Sequence, residues 1–513
     1  MKKITTLVLF IISIWQQLYA QTFNVAISEP VKFEVPGKVY KYGSNFIGFE
    51  EFDYRRKMTF GYKLREQLYK VRLSKYDAGM NRIKEFVLGN DDQVFGPFDT
   101  RIQLINKKLY LIYTTLEEAA ESTIRIMAAE IDSNSLALLS PKELMAITKP
   151  EGASNKLSGL LSSYNLQIVK SPDQSKVLLA WTSGLTQDTY CTVTDANLNV
   201  LWNKKSSFST IVEGELISSY IDNNGKAYMS VRTYNIAELY RLHVLVCQKD
   251  KTDNDILITL PEGKPYEGHL VSSADGSSLQ LAGTYMPLNY KGQLLSGAFS
   301  LLVSTNNYSI SKILQAPFTT EILEQLGQYA WGDTKEKKRG TDYLDMHAIA
   351  LKNGNTVLLG EFSRVQSTEK GSVYISGDIL VIQYNNGTIV FSRVPKIRVS
   401  AGSSMGSSFS AFTDGVSTYV LYNDKEKNLK KDLADEPARS DVYKDVVLVA
   451  ATITDTQPIK REKIIDLQDD NFCALTDLIT VIEPGVLMVP IQKIKAWGKR
   501  ADLSRWGTLK ILK

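Results

Sequence analysis

The chain has 513 residues, of which 43% are hydrophobic and 23% are charged, and its formal net charge is +4. This length exceeds a single hydrophobic core of about 250 to 300 residues, so the chain either divides into domains or repeats a unit around an axis. The nearly balanced charge argues against nucleic-acid binding, which depends on clustered Lys and Arg that neutralise phosphates.

The first 20 residues have the pattern of a secretory signal peptide. Lys2 and Lys3 precede an apolar run, and Ala20 supplies the small residue expected at a cleavage site. We therefore predict that residues 1–20 are removed and that the mature chain, 21–513, is exported to the periplasm or beyond the cell. No later apolar run approaches the roughly 20 residues of a membrane helix, so we expect no membrane span.

The chain has three cysteines, Cys191, Cys247 and Cys473, which are too few for disulfide bonds to be the main source of stability in a chain of this length. Their number is odd, they form no CxxC pair, and they allow one disulfide at most. We predict that they are small buried hydrophobic residues on strands.

Turn signals recur along the chain at a period of roughly 60 residues, which indicates a repeat architecture. The spacings between successive turn pairs are 63, 67, 51, 51, 78, 61 and 70 residues. The pairs are Gly43-Ser44, Asn106-Lys107, Asp173-Gln174, Asn224-Gly225, Asp275-Gly276, Asn353-Gly354, Asp414-Gly415 and Pro484-Gly485.

Each unit contains a short apolar strand, a tight turn, a second strand, a loop, a third strand, a turn and a fourth strand. The third unit shows the order in LQIVK (166–170), KVLLAW (176–181), YCTVTD (190–195) and VLW (200–202). Asn-Gly and Asp-Gly provide the positive φ that hairpin turns require. We therefore predict four-stranded antiparallel meanders that bury their faces by radial stacking into an all-β propeller.

The two ends of the chain predict how the ring closes. The last unit offers strands at 486–491 and 506–512 but no fourth strand, whereas 23–27 precedes the first unit. We predict that this N-terminal strand completes the last blade. Eight blades is the predicted number, with seven as the alternative because the first unit is the least regular.

One turn resembles a known repeat. SPDQSKVLLAW (171–181) is similar to the Ser-Pro-Asp repeat of periplasmic β-propellers, and other units carry a shortened form of its turn. The resemblance implies a bacterial periplasmic or secreted propeller, and it implies no specific activity.

In a propeller of this kind, the loops between second and third strands and between blades share one face, which we call the long-loop face. These loops are long in several units, and loops on a rigid scaffold commonly carry function. Tyr and Arg, which dominate binding hot spots, are frequent there. The candidate ligand-binding residues in these loops are Tyr54, Arg55, Tyr234 and Tyr290.

The longest inter-blade segment predicts a helical insertion around 318–340 within the single propeller domain 21–513. Ile322, Leu323, Leu326 and Tyr329 recur at helical spacing. Trp331 follows them and is a further candidate ligand platform. The mixed charge run at 425–441 predicts a solvated, mobile loop.

Two of the three histidines occupy the same repeat position, six residues before a turn pair, in consecutive units. His269 and His347 are therefore predicted neighbours at the channel mouth, with Asp345 just before His347. Two histidines and a carboxylate can form a metal site, but polar residues also line wet channels, and we predict neither a metal nor a cofactor.

The sequence contains no HExxH or Walker phosphate-loop motif. We predict an exported interaction module, acting as a monomer, that recognises a protein or glycan through the long-loop face. The alternative is an enzyme acting on a glycan or peptide at the channel mouth. The sequence is compatible with either function.

Overall fold

A computed structural model describes most of the chain. The described residues are 23–30, 38–54, 68–88, 101–116, 123–148, 166–182, 188–207, 213–235, 239–272, 277–288, 295–326, 344–368, 371–385, 387–401, 406–441, 445–468, 471–494 and 500–512.

The strands form eight antiparallel sheets, which we number as blades 1 to 8 in chain order. Strand β1 (Phe23–Ile27) precedes blade 1. Blade 1 contains β2 (Lys38–Tyr42), β3 (Asn45–Tyr54), β4 (Leu68–Tyr76) and β5 (Arg82–Leu88). Blade 2 contains β6 (Arg101–Ile105), β7 (Lys108–Leu116), β8 (Thr123–Ile131) and β9 (Leu138–Thr148). Blade 3 contains β10 (Gln167–Lys170), β11 (Lys176–Thr182), β12 (Asp188–Asp195) and β13 (Val200–Ser207).

The middle blades follow the same order. Blade 4 contains β14 (Glu213–Ile221), β15 (Ala227–Asn235), β16 (Leu239–Cys247) and β17 (Asn254–Ile258). Blade 5 contains β18 (Lys264–Ser272), β19 (Ser278–Met286), β20 (Gly297–Ser304) and β21 (Ile310–Pro317), followed by helix α1 (Thr320–Leu326). Blade 6 contains β22 (Leu344–Ala350), β23 (Thr356–Thr368), β24 (Gly371–Asn385) and β25 (Thr388–Val394).

The last blades carry additional elements. Strand β26 (Arg398–Ala401) extends the sheet of blade 6. Blade 7 contains β27 (Phe409–Thr413), β28 (Thr418–Lys425), β30 (Val446–Ile453) and β31 (Lys460–Asp466). A 3-10 helix (Glu426–Lys430) and the short β29 (Ser440–Asp441), which pairs with β26, lie between β28 and β30. Blade 8 contains β32 (Phe472–Ala474), a 3-10 helix (Thr476–Leu478), β33 (Thr480–Glu483), β34 (Val486–Ile494) and β35 (Arg500–Ile511).

Among the described residues the core forms eight apolar clusters, and each cluster lies between two consecutive blades. Strand β11 shows how the sequence builds two of them, because neighbouring side chains on a strand point to opposite faces. Val177, Leu179 and Trp181 pack against blade 2. Leu178 and Ala180 pack against blade 4. A strand that is apolar on both faces therefore marks a sheet that is covered on both sides.

Seven of the eight hairpin turns between first and second strands adopt the predicted backbone conformation, and the eighth, at Asp275-Gly276, lies outside the described residues. Positive φ angles occur at Gly43, Lys107, Gln174, Gly225, Gly354, Gly415 and Gly485. In the first three blades, the turns between third and fourth strands depend on an aspartate that was not among the predicted turn pairs. Asp77, Asp132 and Asp195 accept backbone and side-chain hydrogen bonds within their own turns, which lowers the pKa of each carboxyl.

The predicted closure of the ring is confirmed. Strand β1 pairs antiparallel with β35 over five residues, from Phe23 opposite Ile511 to Ile27 opposite Gly507. The cluster between blades 8 and 1 contains Val39 and Trp506. The protein is an eight-bladed β-propeller of four-stranded antiparallel sheets, as predicted, rather than a seven-bladed one.

The charge run at 425–441 differs from the predicted mobile loop. It contains the 3-10 helix Glu426–Lys430 and the short β29. Asn428 is fully buried and hydrogen-bonds the buried carboxylate of Asp424 at 2.7 Å. The charge pattern of the segment does not predict this ordered structure, because the residues that hold the segment belong to blades 6 and 7. Within the described ranges, no helix has the length and apolar content needed to cross a bilayer.

Candidate binding face and channel

An aromatic cluster lies at the long-loop ends of blades 4 and 5, and we call it the rim cluster. It comprises Glu215, Arg232, Tyr234, Tyr240, Tyr266 and Glu267. Tyr234 and Tyr240 are directly opposite each other in the pairing of β15 and β16, and their ring centroids are 5.2 Å apart. Tyr266, from blade 5, contacts Tyr240 edge-to-face at 5.3 Å. The three rings therefore form a row across the boundary between two blades.

Arg232 lies against this row of rings. Its guanidinium is 4.1 Å from the ring centroid of Tyr266 and 5.5 Å from that of Tyr240. It also pairs with the exposed carboxylate of Glu215 at 2.5 Å. Cation–π contacts and a carboxylate together fix a planar guanidinium in one orientation. The rim cluster is thus a preformed surface of tyrosine and a neutralised arginine.

The rim cluster continues into the apolar cluster between blades 5 and 6. That cluster includes Tyr266 and the buried Ile322 and Leu326 of α1. Thr319 precedes the helix and caps it, because its hydroxyl accepts a hydrogen bond from the N–H of Ile322 at 3.2 Å. Helix α1 therefore covers the long-loop end of this interface.

Arg393 of β25 connects the helix to the 425–441 segment. Its guanidinium donates to the carboxylate of Asp378 at 2.6 Å and to the carbonyl of Gln325, near the end of α1, at 3.2 Å. It also donates to three consecutive carbonyls, of Leu433 at 2.9 Å, Ala434 at 2.7 Å and Asp435 at 3.0 Å. All five N–H donors of the guanidinium are engaged. The buried side chain of Arg393 thus holds both helix α1 and the 425–441 segment on the long-loop face.

A second buried ion pair lies next to the first. Lys396 pairs with Glu361 and also donates to the carbonyl of Ser407 at 2.8 Å. The backbone N–H of Lys396 donates to Asp378 at 3.0 Å. We call these groups, Glu361, Asp378, Arg393 and Lys396, the Arg393 network. Each is almost completely buried.

Asp424 of blade 7 is a further buried carboxyl group. One carboxylate oxygen accepts hydrogen bonds from Asn428 at 2.7 Å and from the N–H of Lys425 at 2.8 Å. Burial raises the pKa of Asp424 to about 6, although nearby Arg398 and Arg461 act in the opposite direction. Complete burial of charged groups is costly unless they are paired.

The inner strands carry polar side chains that connect one blade to the next. The hydroxyl of Ser219 donates to Gln167 at 2.8 Å, which joins blades 3 and 4. The hydroxyl of Ser218 accepts from the N–H of Leu270 at 3.1 Å, which joins blades 4 and 5. The hydroxyl of Ser408 donates to Glu361 at 2.7 Å, which joins blades 6 and 7. Much of the polar character near the channel therefore serves inter-blade contacts.

His269 and His347 lie on the innermost strands β18 and β22 of adjacent blades. His269 is in the middle of its strand, and its Nε2 is shielded from solvent and has no partner among the described residues. Burial lowers the pKa of His269 to about 4, and His347 adds to the effect. His347 is exposed and contacts Phe409 edge-to-face at 5.5 Å. In the described part of the chain, no three His, Cys, Asp or Glu side chains are grouped to hold a metal ion.

The remaining candidate residues are placed only in part. Tyr54 is the last residue of β3 and Asp345 is the second residue of β22, and the structure describes the backbone of both but not their side chains. Arg55, Tyr290 and Trp331 lie outside the described residues. Of the eight candidates, Tyr234 lies in the rim cluster, and the two histidines are adjacent to each other.

Several important residues were not among the candidates. Tyr240, Tyr266 and most of the Arg393 network belong to strands, and Lys396 lies between β25 and β26, whereas the predicted binding residues come from loops. Tyr240 had a local signal, because it lies near the start of the strand that pairs with the strand of Tyr234. Arg393 had none, since its partners lie 15 to 68 residues away in sequence.

The chain has only remote similarity to known proteins. No protein-family model and no curated protein sequence matches the chain. Similar solved structures include the β-propeller domain of the Trilobed protease from Pyrococcus furiosus, at 10% identity and TM-score 0.34, over 85% of this chain and 100% of that chain. The WD40 domain of SCAP from fission yeast has 9% identity and TM-score 0.37, over 96% of this chain and 98% of that chain. A GH43 β-1,3-galactosidase has 12% identity and TM-score 0.29, over 60% and 96%. Likeness at this level concerns the fold alone.

Replacing Arg393 by Met is expected to destabilise the protein by about 3 to 5 kcal/mol, because it leaves the Asp378 carboxylate buried without its charge partner. Urea unfolding would measure the loss, and proteolysis within 426–441 should accelerate because three carbonyl contacts disappear. Adding Asp378→Asn should recover part of the stability, since no unpaired charge then remains.

Arg82→Met is the matched control, because Arg82 forms an exposed pair with Glu85. We expect this control to cost under about 1 kcal/mol. A similar small loss for Arg393→Met would contradict the role assigned to Arg393.

His269 should make the protein less stable as the pH falls from about 6.5 to about 4. In that range the unfolded chain binds a proton at His269 and the folded chain does not, so protonation favours unfolding. His269→Phe should remove up to about 3 kcal/mol of this pH dependence. Urea midpoints of both proteins from pH 4 to 8 would test it. The difference between the urea midpoints of the wild-type protein and of His269→Phe should stay constant above pH 7.5. If the two midpoints also change in parallel with pH below 6.5, the prediction is wrong.

Proposed function

We propose that the protein is a binding module that recognises a protein or glycan partner through the long-loop face of blades 4 to 7. The observation that carries the proposal is the rim cluster, where Tyr234 and Tyr240 form a partly exposed pair beside Arg232. Tyr and Arg supply a large share of the energy in binding hot spots. Tyr also has few rotatable bonds to immobilise, so a fixed tyrosine pair binds at a small entropic cost.

The Arg393 network supports this choice of face. Ligand-binding loops are usually among the less stable parts of a fold, but here buried ion pairs hold the loops of blades 6 and 7 in place. A surface with a fixed shape loses little entropy on binding. The network therefore supports recognition by a preformed surface.

We also propose that the protein is exported and acts as a monomer in the periplasm or outside the cell. The signal-peptide pattern of residues 1–20 supports export. The Ser171–Asp173 turn, in which the serine hydroxyl donates to the aspartate at 2.6 Å, supports a relation to exported Ser-Pro-Asp repeat propellers.

A second candidate function is an enzyme with its site on the inner strands of blades 6 to 8. Asp477 keeps solvent access, yet the surrounding protein and the charge of Glu361 raise the pKa of its carboxyl, while Lys396 acts in the opposite direction. A carboxyl with a raised pKa suits a general acid. The substrate would be a glycan or a peptide.

Tyr234→Ala combined with Tyr240→Ala should weaken partner binding at least about 10-fold, because it removes the exposed ring pair. A panel of immobilised glycans, together with cross-linking to envelope proteins identified by mass spectrometry, would supply the ligand. Titration of that ligand with each variant would measure the loss.

Tyr308→Ala is the matched control, since Tyr308 forms a cation–π pair with Lys226, at 5.3 Å, on the opposite face. If the double variant of Tyr234 and Tyr240 still binds the ligand and Tyr308→Ala does not, the binding site lies on the face opposite the long-loop face. Hydrolysis of a panel glycan that Asp477→Asn abolishes would favour the enzyme instead.

A further inference from the structure

Two of the three cysteines are brought together at the boundary between blades 3 and 4. Cys191 lies in β12, and Cys247 is the last residue of β16. Both are fully buried within one apolar cluster, and the sulfur of Cys247 lies 3.8 Å from the hydroxyl of Ser206 on β13, the strand that pairs with the strand of Cys191. Cys473 lies in blade 8, where its sulfur accepts a hydrogen bond from Arg398 at 3.1 Å. Of the three conceivable pairings, the fold brings together Cys191 and Cys247.

The surroundings of the pair make the thiols inert once the blades have closed. The contact with Cys247 and burial both raise the pKa of Cys191, and the charge of Asp253 adds to them. Thiol–disulfide exchange requires a thiolate with access to the oxidant. Oxidation therefore has to occur while blades 3 and 4 are still separate enough for an oxidant to enter.

We propose that Cys191 and Cys247 form a disulfide that joins blades 3 and 4 when the chain folds in the presence of a small-molecule disulfide. The thiolate of one cysteine attacks the oxidant, forms a mixed disulfide and releases one thiol. The thiolate of the other cysteine attacks the protein sulfur of that mixed disulfide and releases the second thiol. The two cysteines lose two protons and two electrons, and the oxidant's disulfide bond is reduced to two thiols.

The proposed disulfide would join two blades that lie far from the point where the ring closes. Ring closure depends on β1 in blade 8, whereas the disulfide joins blades 3 and 4, far from that point in the chain order. The cross-link closes a loop of 55 intervening residues, from 192 to 246. A loop of this length restricts the unfolded chain substantially. The disulfide would therefore add stability and keep this blade boundary joined if the ring opens elsewhere.

The test is to refold the full mature chain with glutathione disulfide or with reduced glutathione alone. Each sample is then denatured in iodoacetamide and mapped by mass spectrometry. The oxidised sample should contain a peptide that links Cys191 to Cys247, with Cys473 alkylated. Its Tm should exceed that of the reduced sample by roughly 5 °C.

Cys473→Ala should leave the cross-link in place, whereas Cys191→Ala should abolish it together with the difference in Tm. The mapping of the wild-type chain stands even if a variant fails to fold. Alkylation of both Cys191 and Cys247 after oxidative refolding, or a link that includes Cys473, would overturn the proposal.

Discussion

The structure depends on the burial of both faces of every blade against its neighbours. The alternating side chains of β11 belong to two different apolar clusters, with Leu179 facing blade 2 and Leu178 facing blade 4. Apolar burial is worth about 25 cal/mol per Å² and has no preferred direction. It therefore explains why eight sheets stack, but it does not position any particular loop. The cluster that joins blades 8 and 1 makes this burial continuous around the ring.

Loop positions on the long-loop face come from directional polar contacts. Arg393 is the clearest case, because one guanidinium connects helix α1, blade 6 and the 425–441 segment. A lysine at this position would have only three donors and no planar fork with which to contact so many groups. The desolvation of these charges is costly, and their full pairing offsets that cost. The face is consequently shaped by a few buried charges on a scaffold built by apolar packing.

The fold was largely predictable because its signals are local. The positive φ of Gly225 and Gly354 follows from their turn pairs, and β1 was predicted as the strand that the last blade lacks. The polar contacts were not predictable, because each depends on residues that the ring brings together from distant positions. Tyr234 was found from its place near a loop, but its neighbour Tyr266 belongs to the next blade. The same holds for Cys191 and Cys247, whose proximity no spacing rule could reveal.

The geometry of the rim cluster constrains the kind of partner that the proposed function requires. An aromatic and basic rim suits an anionic glycan, but the charge of Arg232 is already opposed by Glu215 at 2.5 Å and lies against Tyr266. An anionic ligand would have to displace that carboxylate and would meet Glu267 on the neighbouring strand. The rings of Tyr234 and Tyr240, by contrast, are partly exposed, whereas the ring of Tyr266 is buried and in contact with Arg232. We infer that recognition at the rim cluster relies on aromatic stacking, which favours a neutral sugar or an uncharged peptide segment over an anionic one.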